Sequence, residues 1–281
     1  MSAAWTRDMP WRQGAILPGD AVQALGLQGK GSQDHALCVM VISHDCDLAN
    51  DNLDQEPNVE VIVGRRLEEG EGNYYWSKSP RTLHIDALFN GLGVVIELVA
   101  TERCFVKKVD LAQFSPDDSW DIPSQSCSAL RAWLAVRYNR SAFPDGFVNL
   151  LSQNKLDSKL ASLLKNEGRH ISSVYFNLNE SRKSGHVDKV SYDLVIVLSF
   201  LPGEDPEALQ GRMDDLAGRI TSEFEKKLFD TGTESWKGIC LKGCMAISED
   251  DMTLSQARRL QSWRLDYLSV KGGESHAIPV N

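Results

Sequence analysis

The chain has 281 residues, 42% hydrophobic and 25% charged, a composition typical of globular proteins that argues against a largely disordered chain. Its formal net charge of −9 argues against nucleic-acid binding over the whole surface, because that binding needs a clustered positive field. No stretch approaches the ~18 consecutive apolar residues that span a bilayer, and the N-terminus lacks the apolar core of a signal peptide, so we expect a cytoplasmic protein without a membrane partner.

The N-terminal part, residues 1–112, is predicted to be rich in β-strands. Its short β-branched segments are bounded by glycine, asparagine, aspartate or charged residues and cover 37–42, 59–63, 94–99 and 104–109. A further segment alternates apolar and polar side chains, which predicts that His84 and Asp86 share one face of a strand. The polar loop before it, residues 68–80, carries three aromatics and is interpreted either as a mobile flap or as a hairpin tip with a packed underside.

The middle of the chain is predicted to be a linker followed by basic helices. Residues 113–128 are expected to form the linker because they hold two prolines and no apolar period. Residues 129–169 form the basic helical segment, in which periodicity predicts one helix around 127–138 and a second running unbroken through 147–166. Between Ser124 and His170, seven lysines and arginines stand against three acids, a balance of +4, whereas the remaining 23 basic and 36 acidic residues give −13.

The last part, residues 170–281, is predicted to be an α+β domain. Strands are expected at 172–179, 192–201, 238–247 and 263–270. Asp205 and Pro206 form the start signal of a long amphipathic helix, and residues 253–256 form a capping box for a short one. The predicted fold class is therefore α+β: a β-rich N-terminal part, a helical middle, and a C-terminal antiparallel or mixed sheet with helices on one face.

Four polar residues follow the most apolar strand: His44, Asp45, Cys46 and Asp47. Groups just beyond the end of such a strand are commonly reactive. In an extended chain Asp45 and Asp47 share a face and suit Mg²⁺ or Mn²⁺, while in a helix His44 and Asp47 come together. The structural alternative is that both aspartates end the strand by Asx turns, with Cys46 packed and His44 solvated.

These residues define the candidate catalytic site. We expect His44, Asp45, Cys46, Asp47 and His84 to contribute, with either histidine as acid or base and with Asp45 and Asp47 as metal ligands. Cys46 is a weaker nucleophile candidate, because flanking carboxylates raise the pKa of a thiol.

Substrate binding is assigned to the first basic helix. Arg131, Arg137 and Arg140 alternate with Trp133 and Tyr138, and such groups can hold phosphates and stack on bases. The alternative is that the aromatic rings lie in the core while the arginines line the wet face of a helix.

Two classes of function fit these features. The first is an intracellular metal-assisted hydrolase, using Mg²⁺ or Mn²⁺, that acts on a phosphate-containing or nucleic-acid substrate. The second is a non-catalytic recognition or regulatory module that binds nucleic acid or a protein partner through the basic helical middle. Thiol chemistry at Cys46 is a third possibility, which alkylation rates would test. The sequence contains no GxxxxGK[ST], GxGxxG, GxSxG or HExxH motif.

Overall fold

The computed structural model describes residues 4–27, 37–136, 143–182 and 190–264, and the structural findings below concern these residues. They form two compact units. The first contains the chain up to Gly70 together with Arg81–Ala135, and the second contains Glu71–Pro80 together with the chain from Val136 onwards. Helices and strands occur together with one antiparallel and one mixed sheet, which confirms the α+β class.

The first unit is a five-stranded antiparallel sheet with short helices. Its elements are α1 (Gly19–Ala24), β1 (Leu37–Val41), α2 (Asp45–Ala49), β2 (Asn58–Leu67), β3 (Thr82–Phe89), β4 (Leu92–Lys107), α3 (Lys108–Leu111), β5 (Trp120–Asp121) and α4 (Ser124–Val136). The strand order is β1-β2-β4-β3-β5. Residues 113–128, predicted as a linker, thus contain an edge strand and the first turn of a helix.

The separate strands predicted at 94–99 and 104–109 are one long strand, β4. The register between β2 and β4 shifts between Ile62 and Gly64, whose partners are Arg103 and Leu98. The intervening residues of β4 bulge, and a bulge bends the strand without ending it. A local pattern of polar residues therefore resembles a strand end, although the hydrogen-bonded ladder continues on both sides.

The covering segment, residues 10–18, directly precedes α1 and links the two edges of this sheet. Leu17 N donates to Val39 O of β1 at 2.8 Å, and on its other side Ile16 O accepts from Asp117 N at 2.9 Å, just ahead of β5. The sheet is therefore curled, and its open edges are covered by this segment. Beneath it lies an apolar core that includes Trp5, Trp11, Val39, Val41, Leu48, Val59, Val61 and Leu111.

The second unit is a mixed sheet packed on helices. Its elements are α5 (Asp145–Gln153), α6 (Leu156–Lys165), β6 (Ile171–Arg182), β7 (Val190–Phe200), α7 (Pro206–Leu228), β8 (Phe229–Asp230), β9 (Ser235–Trp236), β10 (Ile239–Ser248), α8 (Leu254–Ala257) and β11 (Gln261–Trp263). The order is β10-β7-β6-β11, with β10 parallel to β7 and the other pairs antiparallel. Residues 265–270 of the last predicted strand lie outside the described residues.

Helix α7 forms as its sequence predicts. Asp205 caps it by accepting from Ala208 N at 3.1 Å, and Pro206 is its first residue. The stripe that periodicity predicted is buried and consists of Leu209, Met213, Leu216, Ile220, Phe224 and Leu228. The capping box at Thr253 and Gln256 is likewise confirmed.

The single helix predicted through 147–166 is wrong. The chain forms α5 and α6 instead, and Lys155 between them adopts φ 55° and ψ 27°, a left-handed conformation that ends one helix before the next begins. The buried leucines of both helices belong to the same core, so the apolar pattern continues across the break. For this reason the pattern did not reveal that the helix ends.

Residues 71–80 are packed within the second unit, which decides between the two interpretations of this loop in favour of packing. Lys78 is 3% exposed, and its Nζ donates to Gly168 O at 2.6 Å and to Ile171 O at 2.7 Å. Trp76 Nε1 donates to Arg169 O at 2.7 Å. Burial lowers the pKa of Lys78 well below its usual value.

Among the described helices, none is long and apolar enough to cross a membrane.

Candidate functional site

The polar residues that follow β1 form the first turn of α2. Helix α2 begins at Asp45, and His44 is its N-cap, with a side-chain nitrogen, Nδ1, that accepts from Cys46 N at 3.2 Å. Of the two arrangements that the sequence left open, the helical one is present. His44 itself lies just before the helix with an extended backbone, and its ring is engaged with Cys46 N, so its pairing with Asp47 stays a prediction. The extended arrangement that aligns Asp45 with Asp47 is not formed.

Hydrogen bonds from other segments fix this turn. Asp45 Oδ1 accepts from Gln13 N at 2.8 Å, and Ser43 Oγ accepts from Glu60 N at 2.7 Å. The side chains of His44, Asp45, Cys46 and Asp47 are all exposed. The turn thus combines one capping side chain, His44, and one tied to another segment, Asp45, with access to solvent for all four residues.

A buried lysine, Lys108, holds the other end of α2. It is 0% exposed, and its Nζ donates to Asp47 O at 2.6 Å and to Asn50 O at 2.7 Å. Burial lowers the pKa of Lys108, although the charges of nearby acids oppose this change. Sequence reasoning missed Lys108, because the local pattern does not separate it from its exposed neighbour Lys107.

His84 is the buried member of a three-residue polar network on the sheet. It is 3% exposed, and its Nε2 is 3.1 Å from Glu97 Oε2, while Arg65 contacts the same carboxylate. The three residues sit opposite one another on β2, β4 and β3. The hydrogen bond with His84 lowers the pKa of Glu97; burial opposes this change and Arg65 reinforces it.

The predicted metal ligands remain a prediction. Asp45 and Asp47 lie in one turn, but within the described part of the chain no group of three or more histidine, cysteine, aspartate or glutamate side chains is placed to hold a metal ion.

The predicted substrate-binding arginines are only partly described. Arg131 is exposed on α4, and its Nη2 donates to Ser128 Oγ at 2.9 Å. Trp133 is 1% exposed, as expected if the aromatic side of this helix belongs to the core. Arg137 and Arg140 lie outside the described residues.

A cleft of about 590 Å³ opens in the first unit where the covering segment meets the residues around β5. It is lined by Pro10, Arg12, Gln13, Gly14, Ala15, Ile16, Ser115, Pro116, Asp117, Asp118, Trp120, Asp121, Ile122 and Cys127. Gln13 also donates its backbone N–H to Asp45, which ties the cleft to the first turn of α2. Sequence reasoning missed this cleft because eight of its fourteen lining residues lie in the predicted linker.

The described lining is acidic. It holds three carboxylates, those of Asp117, Asp118 and Asp121, and one guanidinium, that of Arg12. Arg12 Nη1 donates to two backbone carbonyls of its own segment, at 2.8 and 2.7 Å. Asp117 Oδ1 accepts from Ser119 N and Oγ. The lining therefore has a formal balance of −2.

Burial and the charges around the cleft change the pKa of its cysteine, Cys127. Burial is the main cause that raises the pKa of Cys127; Arg131 lowers it, and the carboxylates of Asp45 and Asp121 raise it further. Asp45 thus acts electrostatically on the cleft, together with Asp121 and against Arg131.

No known protein family, curated protein sequence or solved structure matches this chain. A functional assignment therefore has to come from its own residues.

Proposed function

We propose that the first unit is a non-catalytic recognition module whose cleft binds a basic segment of a partner protein. The observation that carries this proposal is the acidic lining, in which the one arginine is already engaged by backbone carbonyls. A cationic side chain that enters the cleft gains attraction from carboxylates in a partly enclosed space, where solvent screens charge less than on an open surface.

Shape supports the same proposal. A volume of about 590 Å³ is within the range of ligand pockets, and the lining mixes acidic residues with Trp120, Ile16, Ile122 and two prolines. Opposed charges across an interface mainly raise association rate and specificity. In this proposal, Asp45 lies behind the lining, where it accepts from Gln13 N and adds to the negative field.

The test is selection of peptides from a random display library against the whole chain. We expect enriched peptides to carry lysine or arginine, to bind more weakly as salt rises, and to lose at least about tenfold in affinity for an Asp118→Asn, Asp121→Asn double variant. Both side chains are exposed, so the fold should persist, which circular dichroism would check.

A matched control changes the net charge equally elsewhere. Asp250 and Asp251 are exposed in the second unit, and the Asp250→Asn, Asp251→Asn variant should bind the selected peptides as the unmodified chain does. Equal losses in both double variants, or failure to enrich any peptide, would contradict the proposal.

Metal-assisted hydrolysis of a phosphate-containing or nucleic-acid substrate is the second candidate. It is favoured by the exposure of His44, Asp45, Cys46 and Asp47 in one turn beside the cleft. In this case Mn²⁺ should bind the chain in calorimetry, and Asp47→Ala should remove both that binding and phosphodiester cleavage. A variant that retains full activity would exclude this role for Asp47. Loss of nucleic-acid binding in Arg131→Ala would instead support the basic helix as an interface.

A further inference from the structure

Three side chains form a ladder that ends at the cleft of the first unit. The guanidinium carbon of Arg66 lies 4.8 Å from the ring centroid of Phe89, and the Phe89 ring lies 4.7 Å from that of Trp120, with the two planes tilted by 45°. Trp120 lines the cleft and is half-buried. The ladder thus runs from a cation through two aromatic rings to the cleft.

Two carboxylates of the cleft lining lie close to Trp120 in the chain. Asp118 precedes Trp120 by two residues, whereas Asp121 follows it directly in β5 and therefore projects from the opposite side of the strand. The backbone around Trp120 is fixed, because Trp120 pairs with Phe89 across β5 and β3 and its N–H donates to Asp117 O at 3.3 Å. Asp118 and the ring therefore belong to one short segment with a fixed backbone.

We propose that the cleft selects arginine, with a guanidinium of the partner stacked on Trp120 and hydrogen-bonded to Asp118. This inference rests on the proposed function and names the group that the cleft recognises.

The chemistry of the two basic side chains explains this preference. A guanidinium is planar, stacks on aromatic faces and presents several donors in a fixed fork, whereas an ammonium is a compact and strongly hydrated charge. Tryptophan is the best aromatic partner for a cation, and the carboxylate of Asp118 can accept two of the guanidinium donors. Lysine would retain the charge attraction and lose the stacking.

The experiment titrates the whole chain with three small probes, each acetylated on its α-nitrogen so that the side chain stays unmodified: Nα-acetyl-arginine amide, Nα-acetyl-lysine amide and Nα-acetyl-citrulline amide. Citrulline keeps the shape of arginine and lacks its charge. In amide NMR spectra we expect arginine to shift residues of the cleft, lysine to bind about fivefold more weakly, and citrulline to give no shift at the same concentration.

Two variants test the role of the ring. Trp120→Leu should keep the carboxylates and remove the preference for arginine over lysine, whereas Trp120→Phe should keep part of it. Trp120→Phe also keeps the test valid if the leucine variant fails to fold. Equal affinity for arginine and lysine, or a preference that survives in Trp120→Leu, would overturn this inference.

The outcomes separate the two proposals. If the selected peptides depend on Asp118 and Asp121 while the three amides show no arginine preference, the recognition module stands and the arginine assignment fails. If neither peptides nor amides bind the cleft, both fail.

Discussion

Lys108 Nζ lies 2.6 Å from the carbonyl oxygen of Asp47, so the first side chain of α3 closes the C-terminal end of α2. The same nitrogen binds Asn50 O, and it lies 5.4 Å from the Trp5 ring centroid. An ammonium at the C-terminus of a helix satisfies terminal carbonyls and complements the helix dipole. The polar turn at His44–Asp47 therefore owes its position to a residue 61 positions away.

Lys108→Met tests this support. Loss of both hydrogen bonds removes the ammonium from the last carbonyls of α2, and we expect the free energy of unfolding to fall by about 2–4 kcal/mol in chemical denaturation. Lys107 is exposed and next in sequence, so Lys107→Met is the matched control and should change stability by less than about 0.5 kcal/mol. Similar effects for both variants would refute the role of Lys108.

The lowered pKa of Lys78 predicts how the stability of the chain changes with pH in the alkaline range. Its pKa is lowered by burial in the folded chain, so between that pKa and the unfolded value of about 10.4 the unfolded state binds more protons. Stability should therefore rise with pH across this window, whereas below the folded pKa both states are protonated and this contribution is constant. Lys78→Met should reduce the rise in pH-dependent denaturation curves, and Lys227→Met, at an exposed site, should not.

The lowered pKa of Glu97 predicts a dependence of the same sign in the acidic range, where stability again rises with pH. Its pKa is lowered in the folded chain, so its contribution is present above the unfolded pKa of about 4.3 and is lost as pH falls through the folded pKa. Glu97→Gln should cost about 1–3 kcal/mol at neutral pH and should weaken the loss of stability on acidification. Glu69→Gln, at an exposed site, is the control. An unchanged acid profile in Glu97→Gln would contradict this prediction.

Substitutions at two glycines of the second unit should change the stability of the chain in opposite directions. A Cβ at Gly72 would overlap the carbonyl oxygen of Lys165 and the backbone of Gly168, so Gly72→Ala should destabilise by about 3 kcal/mol or more. A Cβ at Gly211 on α7 meets nothing within 4 Å, and Gly211→Ala should stabilise by about 0.4–1 kcal/mol because alanine favours the helix. Thermal unfolding of both variants provides the comparison.

The cysteines predict an order of alkylation. Cys46 is exposed, whereas burial raises the pKa of Cys38 and of Cys244 to about 12. At slightly alkaline pH, mass spectrometry should find Cys46 modified well before Cys38 and Cys244, and unfolding in denaturant should remove the difference. If Cys46 reacts no faster than those two, the thiol hypothesis for this residue fails.

Elements that depend on neighbouring residues were predictable from the sequence. The stripe of α7, its cap at Asp205 and the capping box at Thr253 follow from spacings of three and four residues, which are set by the helix itself. Strands β1, β2, β3, β6, β7 and β10 were predicted from equally local patterns, whereas β4 was predicted as two strands and β5 as part of a linker. The break at Lys155 was not, because the apolar side continues across it.

Some features of the candidate site likewise follow from the local sequence, and others only from the tertiary structure. The sequence by itself determined that a polar turn follows a buried strand and that His84 lies on a strand. Only the tertiary structure decided that His84 faces Glu97, that Lys108 reaches Asp47, and that residues near 13 and 120 enclose one cleft. These relationships join segments far apart in the chain, and their register depends on how the sheet curls, which no local pattern encodes.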